Sequence, residues 1–182
     1  MAKICVVTVT TLLLGACLTA NGPSPRAGAQ EQPAIPPEMK VLEKRVGVWK
    51  TITHIKPAAW TPDGGEAKGD EKIDLVLGGR FIQGRVQTQP GNVEATWLGT
   101  YDAAKKEYRF WYFSSQGDIL DATGKWDASS GTLTWTSIPQ PGVTSVARWR
   151  FTGDDTFEWD LVAKDRGGKV YLDMVGKLTR SK

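Results

Sequence analysis

Short runs of alternating apolar and polar residues, cut at regular intervals by turn residues, constrain this chain more than any other feature. The pattern is densest from Gly99 to Leu133. There Gly99-Thr100-Tyr101-Asp102 and Gly124-Lys125-Trp126-Asp127 each end a strand pattern in Gly-x-aromatic-Asp. An Asp at a strand exit can bond its own backbone, and Gly131 can adopt positive φ, so both loops read as hairpins. Between them lies Tyr108-Arg109-Phe110-Trp111-Tyr112-Phe113, too bulky and too β-prone for a loop.

The same grammar runs in both directions. It predicts ten strands: Gly47–Lys56, Gly69–Leu77, Arg80–Gln89, Val93–Tyr101, Glu107–Ser114, Asp118–Trp126, Thr132–Ile138, Val143–Phe151, Thr156–Lys164 and Lys169–Thr179. Pro62-Asp63-Gly64-Gly65, Gly78-Gly79, Pro90-Gly91-Asn92 and Gly167-Gly168 are among the turns between them. Phe157, Trp159, Leu161 and Ala163 alternate with polar neighbours, as do Val143, Ala147, Trp149 and Phe151. One face is therefore apolar and the other wet, as in an antiparallel sheet around a single core. Hairpin order and the cost of open edges favour an all-β, antiparallel up-and-down barrel of about ten strands. One short helix precedes it: Pro36-Pro37, then Glu38 to Val46, with Met39, Leu42 and Val46 on one stripe and Gly47 after the end.

The N-terminus reads as a targeting segment. Ile4 to Ala16 is an apolar stretch too short to span a bilayer comfortably, and Leu14-Gly15-Ala16-Cys17 resembles a bacterial lipobox. Residues 1–16 are then a signal peptide and Cys17 the lipidated residue, anchoring the protein in the periplasm or at the outer membrane. Ordinary cleavage after Ala27-Gly28-Ala29, giving a secreted protein, and an uncleaved anchor are the alternatives. Residues 17–37, rich in Pro, Gly and Ala, read as a tether, and 38–182 as the barrel domain. The only cysteines, Cys5 and Cys17, lie in the leader, so the domain has neither a disulfide nor a thiol nucleophile.

The net charge is +3. A domain so near neutrality lacks the footprint of a nucleic-acid binder, and no basic cluster suits a membrane surface. The single histidine, His54, cannot assemble a zinc site alone, and no Gly-x-Ser-x-Gly elbow is present. Asp70-Glu71-x-x-Asp74, Asp118-x-x-Asp121 and Asp154-Asp155 lack calcium-loop spacing. No metal, cofactor or catalytic residue is therefore expected.

Gly47-Val48-Trp49 after a short helix resembles the opening of the calycin group, which includes the lipocalins. In that group the Trp packs at one barrel end beneath a basic residue of the last strand. Arg180 or Lys177 could match it. More of the chain resembles the bacterial domain-of-unknown-function family 1579. The resemblance rests on Leu42 to Trp49, Leu77-Gly78-Gly79-Arg80-Phe81-Ile82-Gln83-Gly84, both Gly-x-aromatic-Asp blocks and Asp154-Asp155-Thr156-Phe157. It implies a small lipocalin-like or nitrobindin-like barrel, often exported, without an established activity. Nitrobindin-like barrels bind haem through a His of a later strand, where this chain has none, so His54, or Met174 in its place, is a weak axial-ligand candidate.

The eight tryptophans are the best functional lead. Rings at a barrel mouth can stack on a small apolar ligand, or they can simply fill the core. Trp97, Trp111, Phe113, Trp135 and Trp149 are the expected ligand-binding residues. Arg80 is the expected inward charge, facing a carboxylate such as Asp74 or Asp121 or an acidic ligand. Gly47, Trp49 and Arg180 form the expected barrel-end motif. The leading expectation is non-catalytic binding of a small apolar or amphipathic ligand. The rivals are a structural or partner-binding envelope protein with a solid barrel and, more remotely, a haem protein or hydrolase.

Overall fold

The computed structural model describes residues 33–137 and 142–182. The expected signal peptide, Cys17 and most of the expected tether lie outside the described residues, as do Ile138 and the Pro139-Gln140-Pro141 loop. One helix, α1 (Met39–Glu43), precedes ten strands: β1 (Gly47–Lys56), β2 (Gly65–Val76), β3 (Phe81–Gln89), β4 (Val93–Asp102), β5 (Glu107–Ser114), β6 (Ile119–Asp127), β7 (Thr132–Ser137), β8 (Val143–Phe151), β9 (Thr156–Asp165) and β10 (Val170–Arg180). Every strand pairs antiparallel with its neighbours in sequence, and β1 pairs with β10 to close the barrel. The fold is thus the all-β, ten-stranded up-and-down barrel that the hairpin grammar predicts.

Two elements differ from expectation by more than one residue at an end. β2 begins at Gly65 rather than Gly69, because β1 holds it in register from Ile55 opposite Gly65 onward. α1 is shorter than the Glu38–Val46 stripe suggests. After Leu42 the chain tightens into i→i+3 hydrogen bonds, Arg45 N–H to the Leu42 carbonyl (3.0 Å) and Val46 N–H to that of Glu43 (2.9 Å). Such a tightened last turn satisfies carbonyls that a helix end would leave orphaned. It also redirects Arg45.

α1 lies at the barrel end where β1 begins and β10 finishes. Met39 and Leu42 are buried there with Ile73, Ile82, Leu133 and Leu178, none more than 1 % exposed. The Tyr108 hydroxyl ties the same end down by donating to the Glu38 carbonyl (3.1 Å). Burial and the proximity of Glu38 push the Tyr108 phenol up to about 12. The sequence stripe of α1 therefore becomes a plug, and the opposite end of the barrel is the mouth.

Candidate functional site

At the plugged end, Gly47, Trp49 and Arg180 come together. The Arg180 guanidinium lies 4.2 Å from the centre of the Trp49 ring and donates to the Val46 carbonyl (2.7 Å). Trp49 Nε1 donates to the Arg45 carbonyl (2.7 Å). A Cβ on Gly47 would sit 2.3 Å from Arg180 Nη1, at a φ of +138° that side chains rarely adopt. Lys177, the other candidate, is on the outer face of β10 and exposed. The cluster fastens the first and last strands where the barrel closes, and it is remote from the mouth.

Above the plug the interior carries charge, though not through the residue expected. Arg80 occupies the β2–β3 turn outside the strands, where its carbonyl accepts the Thr100 hydroxyl (2.6 Å). Asp74 and Asp121 are paired on the outside, with Lys72 and Arg109 respectively. The interior cation is Arg45, only 4 % exposed, which reaches in from the tightened turn after α1. Its Nη2 donates to Glu71 Oε2 (2.8 Å), and Trp97 Nε1 donates to Glu71 Oε1 (2.6 Å). Its guanidinium carbon is 4.3 Å from the ring centres of both Trp149 and Phe157. Burial lowers the pKa of Arg45, and Glu71 opposes that effect. Charge and countercharge are thus neutralised inside an aromatic shell.

Three tryptophans rise from this floor on cross-strand glycine seats. Gly84 faces Trp97, Gly124 faces Trp135, and Gly176 faces Trp159 across adjacent strands. A Cβ would lie 2.0 Å from Trp97 Cε2, 2.6 Å from Trp135 Cε3 and 2.2 Å from Trp159 Cε2. No side chain fits there, so glycine permits each indole to lie flat against the neighbouring strand. Trp135 is turned over relative to the other two. Its Cε3–Cζ3 edge is on the glycine, so its N–H edge is on the side away from Gly124.

Toward the mouth several inward residues are less buried. Val86, Tyr112, Leu120, Ala147, Leu161 and Met174 all point inward by strand alternation, yet each keeps partial exposure. Hydroxyls dot the same region: Thr53, Ser137 and Ser145 are buried, and the Ser145 N–H donates to Ser137 Oγ (2.8 Å). The inward residues are uniformly buried at the helix end and a mixture of buried and partly exposed toward the mouth.

Of the expected ligand-binding residues, the structure brings Trp97, Trp135 and Trp149 together inside, with Trp135 and Trp149 ring centres 5.0 Å apart. Trp111 and Phe113 do not join them. Tyr108, Phe110 and Tyr112 take the inward positions of β5, so Trp111 and Phe113 must face out. Trp111 packs beside Arg109, and Phe113, 43 % exposed, lines an open depression of about 580 Å³ across β1–β5. In a run of aromatics, period-two alternation cannot be read from hydrophobicity alone. His54 is on the outer face of β1, 3.2 Å from Glu66, and Met174 is an inward wall residue of β10. Among the described residues no group of His, Cys, Asp or Glu is arranged to hold a metal ion. Within Asp70-Glu71-x-x-Asp74 this follows from alternation, since Glu71 faces in while Asp70 and Asp74 face out.

The family model described as "Protein of unknown function (DUF1579)" matches residues 36–180. The chain belongs to the DUF1579 family. Comparison with curated proteins gave no match. Among solved structures, this DUF1579 barrel is similar to an S-type phycobiliprotein lyase from Guillardia theta, with 14% sequence identity and a TM-score of 0.61, covering 79% of this chain and 92% of the other. It is also similar to Rv2717c from M. tuberculosis, with 14% identity and a TM-score of 0.62, covering 82% of this chain and 100% of the other. At such identities the likeness is one of fold.

Proposed function

We propose that this DUF1579 protein is a non-catalytic binder of a small, largely apolar ligand held in the mouth half of its barrel. One observation carries the reading: inward residues are sealed at the helix end, while above the Trp97–Trp135 level several of them, among them Val86, Tyr112, Leu120, Leu161 and Met174, keep partial exposure beside buried Ala163 and Leu172. A barrel built only for rigidity gains by filling its interior to crystal-like density throughout. A concave, mostly apolar space with a few convergent polar groups is what a small-molecule site needs. The fold shared with a phycobiliprotein lyase is compatible with this reading.

Native mass spectrometry of the full chain, with a denatured control, tests the proposal, together with a titration by the neutral dye Nile red. A bound mass that is lost on denaturation, or saturable dye fluorescence quenched by competing apolar compounds, is the expected result. A bare mass and no saturable dye binding would overturn the reading in favour of a structural or partner-binding barrel. We also propose export with a lipid anchor at Cys17, supported by the lipobox-like Leu14-Gly15-Ala16-Cys17. Metabolic labelling with a radioactive fatty acid should mark the wild type and not Cys17→Ser; equal labelling of both would refute the anchor.

A further inference from the structure

We infer that the inner end of the ligand is a neutral hydrogen-bond acceptor, such as a ketone, ester or amide carbonyl, received by the Trp135 indole N–H. The inference rests on the mouth half being a ligand pocket and goes on to say how that pocket selects. Trp135 is 3 % exposed and its Nε1 has no hydrogen-bond partner among the described residues. Arg45 Nε is a second buried donor without a partner among them. Trp149 packs against both side chains, its ring centre 5.0 Å from that of Trp135 and 4.3 Å from the Arg45 guanidinium carbon. Buried polar groups in folded proteins are almost always paired, because an unmade bond costs about 1–3 kcal/mol. Two orphan donors beside one ring therefore point to a missing acceptor.

The position adjoins the mouth half, although the N–H itself is sealed, so a ligand must part the side chains above it to arrive. Trp135 is directly opposite Ala147 on β8, an inward residue that keeps partial exposure, and Trp159 on β9 does the same. The turned-over seat puts the N–H edge of Trp135 on the side away from Gly124. Trp97, seated the other way, already spends its N–H on Glu71. Charge decides the kind of acceptor. Arg45 is already neutralised by Glu71, so a carboxylate arriving here would be a buried charge without a countercharge, which is costly. A neutral carbonyl oxygen accepts the same bond without that cost.

The test compares 2-dodecanone, dodecane and dodecanoate as competitors of Nile red on the full chain. The ketone is expected to bind about three- to tenfold more tightly than the alkane, the worth of one net hydrogen bond. Dodecanoate is expected to bind more weakly than the ketone. In Trp135→Phe the advantage of the ketone over the alkane should vanish. Since that variant removes a core ring, a second readout uses the wild type: the indole N–H resonance of Trp135, identified by its contacts with the Tyr108 and Phe110 rings, should move downfield with ketone and not with alkane. Equal affinities and an unmoved resonance would overturn the inference and leave the pocket intact. Tighter binding of dodecanoate would overturn it by showing a charged inner end. Absence of saturable dye binding would remove the pocket itself, and the inference with it.

Discussion

Replacing Glu71 with leucine should destabilise the barrel by about 3–5 kcal/mol, the usual cost of stranding a buried charge by removing its partner. The structure argues for the upper part of that range. Arg45 and Glu71 are 4 % and 6 % exposed, so water cannot replace the lost carboxylate. Arg45 Nε already lacks a partner among the described residues. Trp97 Nε1 loses its 2.6 Å acceptor in the same step. What remains is the stacking of the guanidinium on Trp149 and Phe157, worth about 1–2 kcal/mol and present before and after. For a domain of this size the loss corresponds to a fall in Tm of roughly 6–20 °C. Urea unfolding followed by tryptophan fluorescence measures it. The decisive comparison is Arg45→Met/Glu71→Leu, which removes both charges and leaves an apolar side chain in the aromatic shell. It should recover at least about 2 kcal/mol over the single variant, because the stranded charge is the main cost. If the double variant were no more stable than Glu71→Leu, or the single variant lost less than about 1 kcal/mol, the buried-pair reasoning would be wrong.

Gly84→Ala and Gly176→Ala should each cost about 2 kcal/mol or more by overpacking against Trp97 and Trp159. Gly84→Ala should cost less in a Trp97→Leu background than in the wild type in the same urea titration, and an undiminished cost would contradict the seat. Trp111→Ala and Phe113→Ser should leave Nile red affinity unchanged, since both face outward, whereas Leu161→Trp on the inner wall should weaken it; a loss of dye binding in Phe113→Ser would place the ligand on the outer depression. The Tyr108 phenol is raised to about 12 in the folded chain. A raised folded pKa means that its stabilisation is complete below the unfolded value near 10 and is lost as pH climbs toward 12. The urea midpoint should therefore fall between pH 10 and 12, less steeply in Tyr108→Phe, and an identical fall in both proteins would assign the effect to other groups.

The architecture was legible because turn chemistry and alternation agree at nearly every hairpin. β1, β5 and β8 have the bounds that their apolar alternation and flanking turns predict. Trp97, Trp135 and Trp149 stand out in sequence as bulky residues on alternating strands, and all three are inside. Trp111 and Phe113 misled because all but one residue of Tyr108 to Phe113 are aromatic, so neither face of β5 is marked as polar. The phase is set by the partners: Gly99 and Ala122 are cross-strand from Phe110, and both are small and buried. A signal was present in the register of small residues opposite large ones, but it requires the pairing to be known first.

Arg45 was hidden for a different reason. In sequence it closes a short amphipathic helix, where a basic residue ordinarily complements the helix C-terminus in solvent. Only when the last turn tightens after Leu42 does its side chain enter the barrel beneath Trp149. In sequence Arg80 opens the strand Arg80–Gln89, whose faces Arg80-Ile82-Gly84-Val86 and Phe81-Gln83-Arg85-Gln87 are both mixed, so a polar group is expected to point inward there, yet that mixture has a simpler origin. β3 contributes Ile82 and Gly84 to the interior, and Gly84 is small so that Trp97 can occupy its place. A strand can thus look unpatterned when its inner face is filled by a neighbour's side chain. The same exchange builds the floor: glycine seats and a neutralised Arg45–Glu71 pair fill it, while inward residues nearer the mouth such as Tyr112, Leu161 and Met174 keep partial exposure.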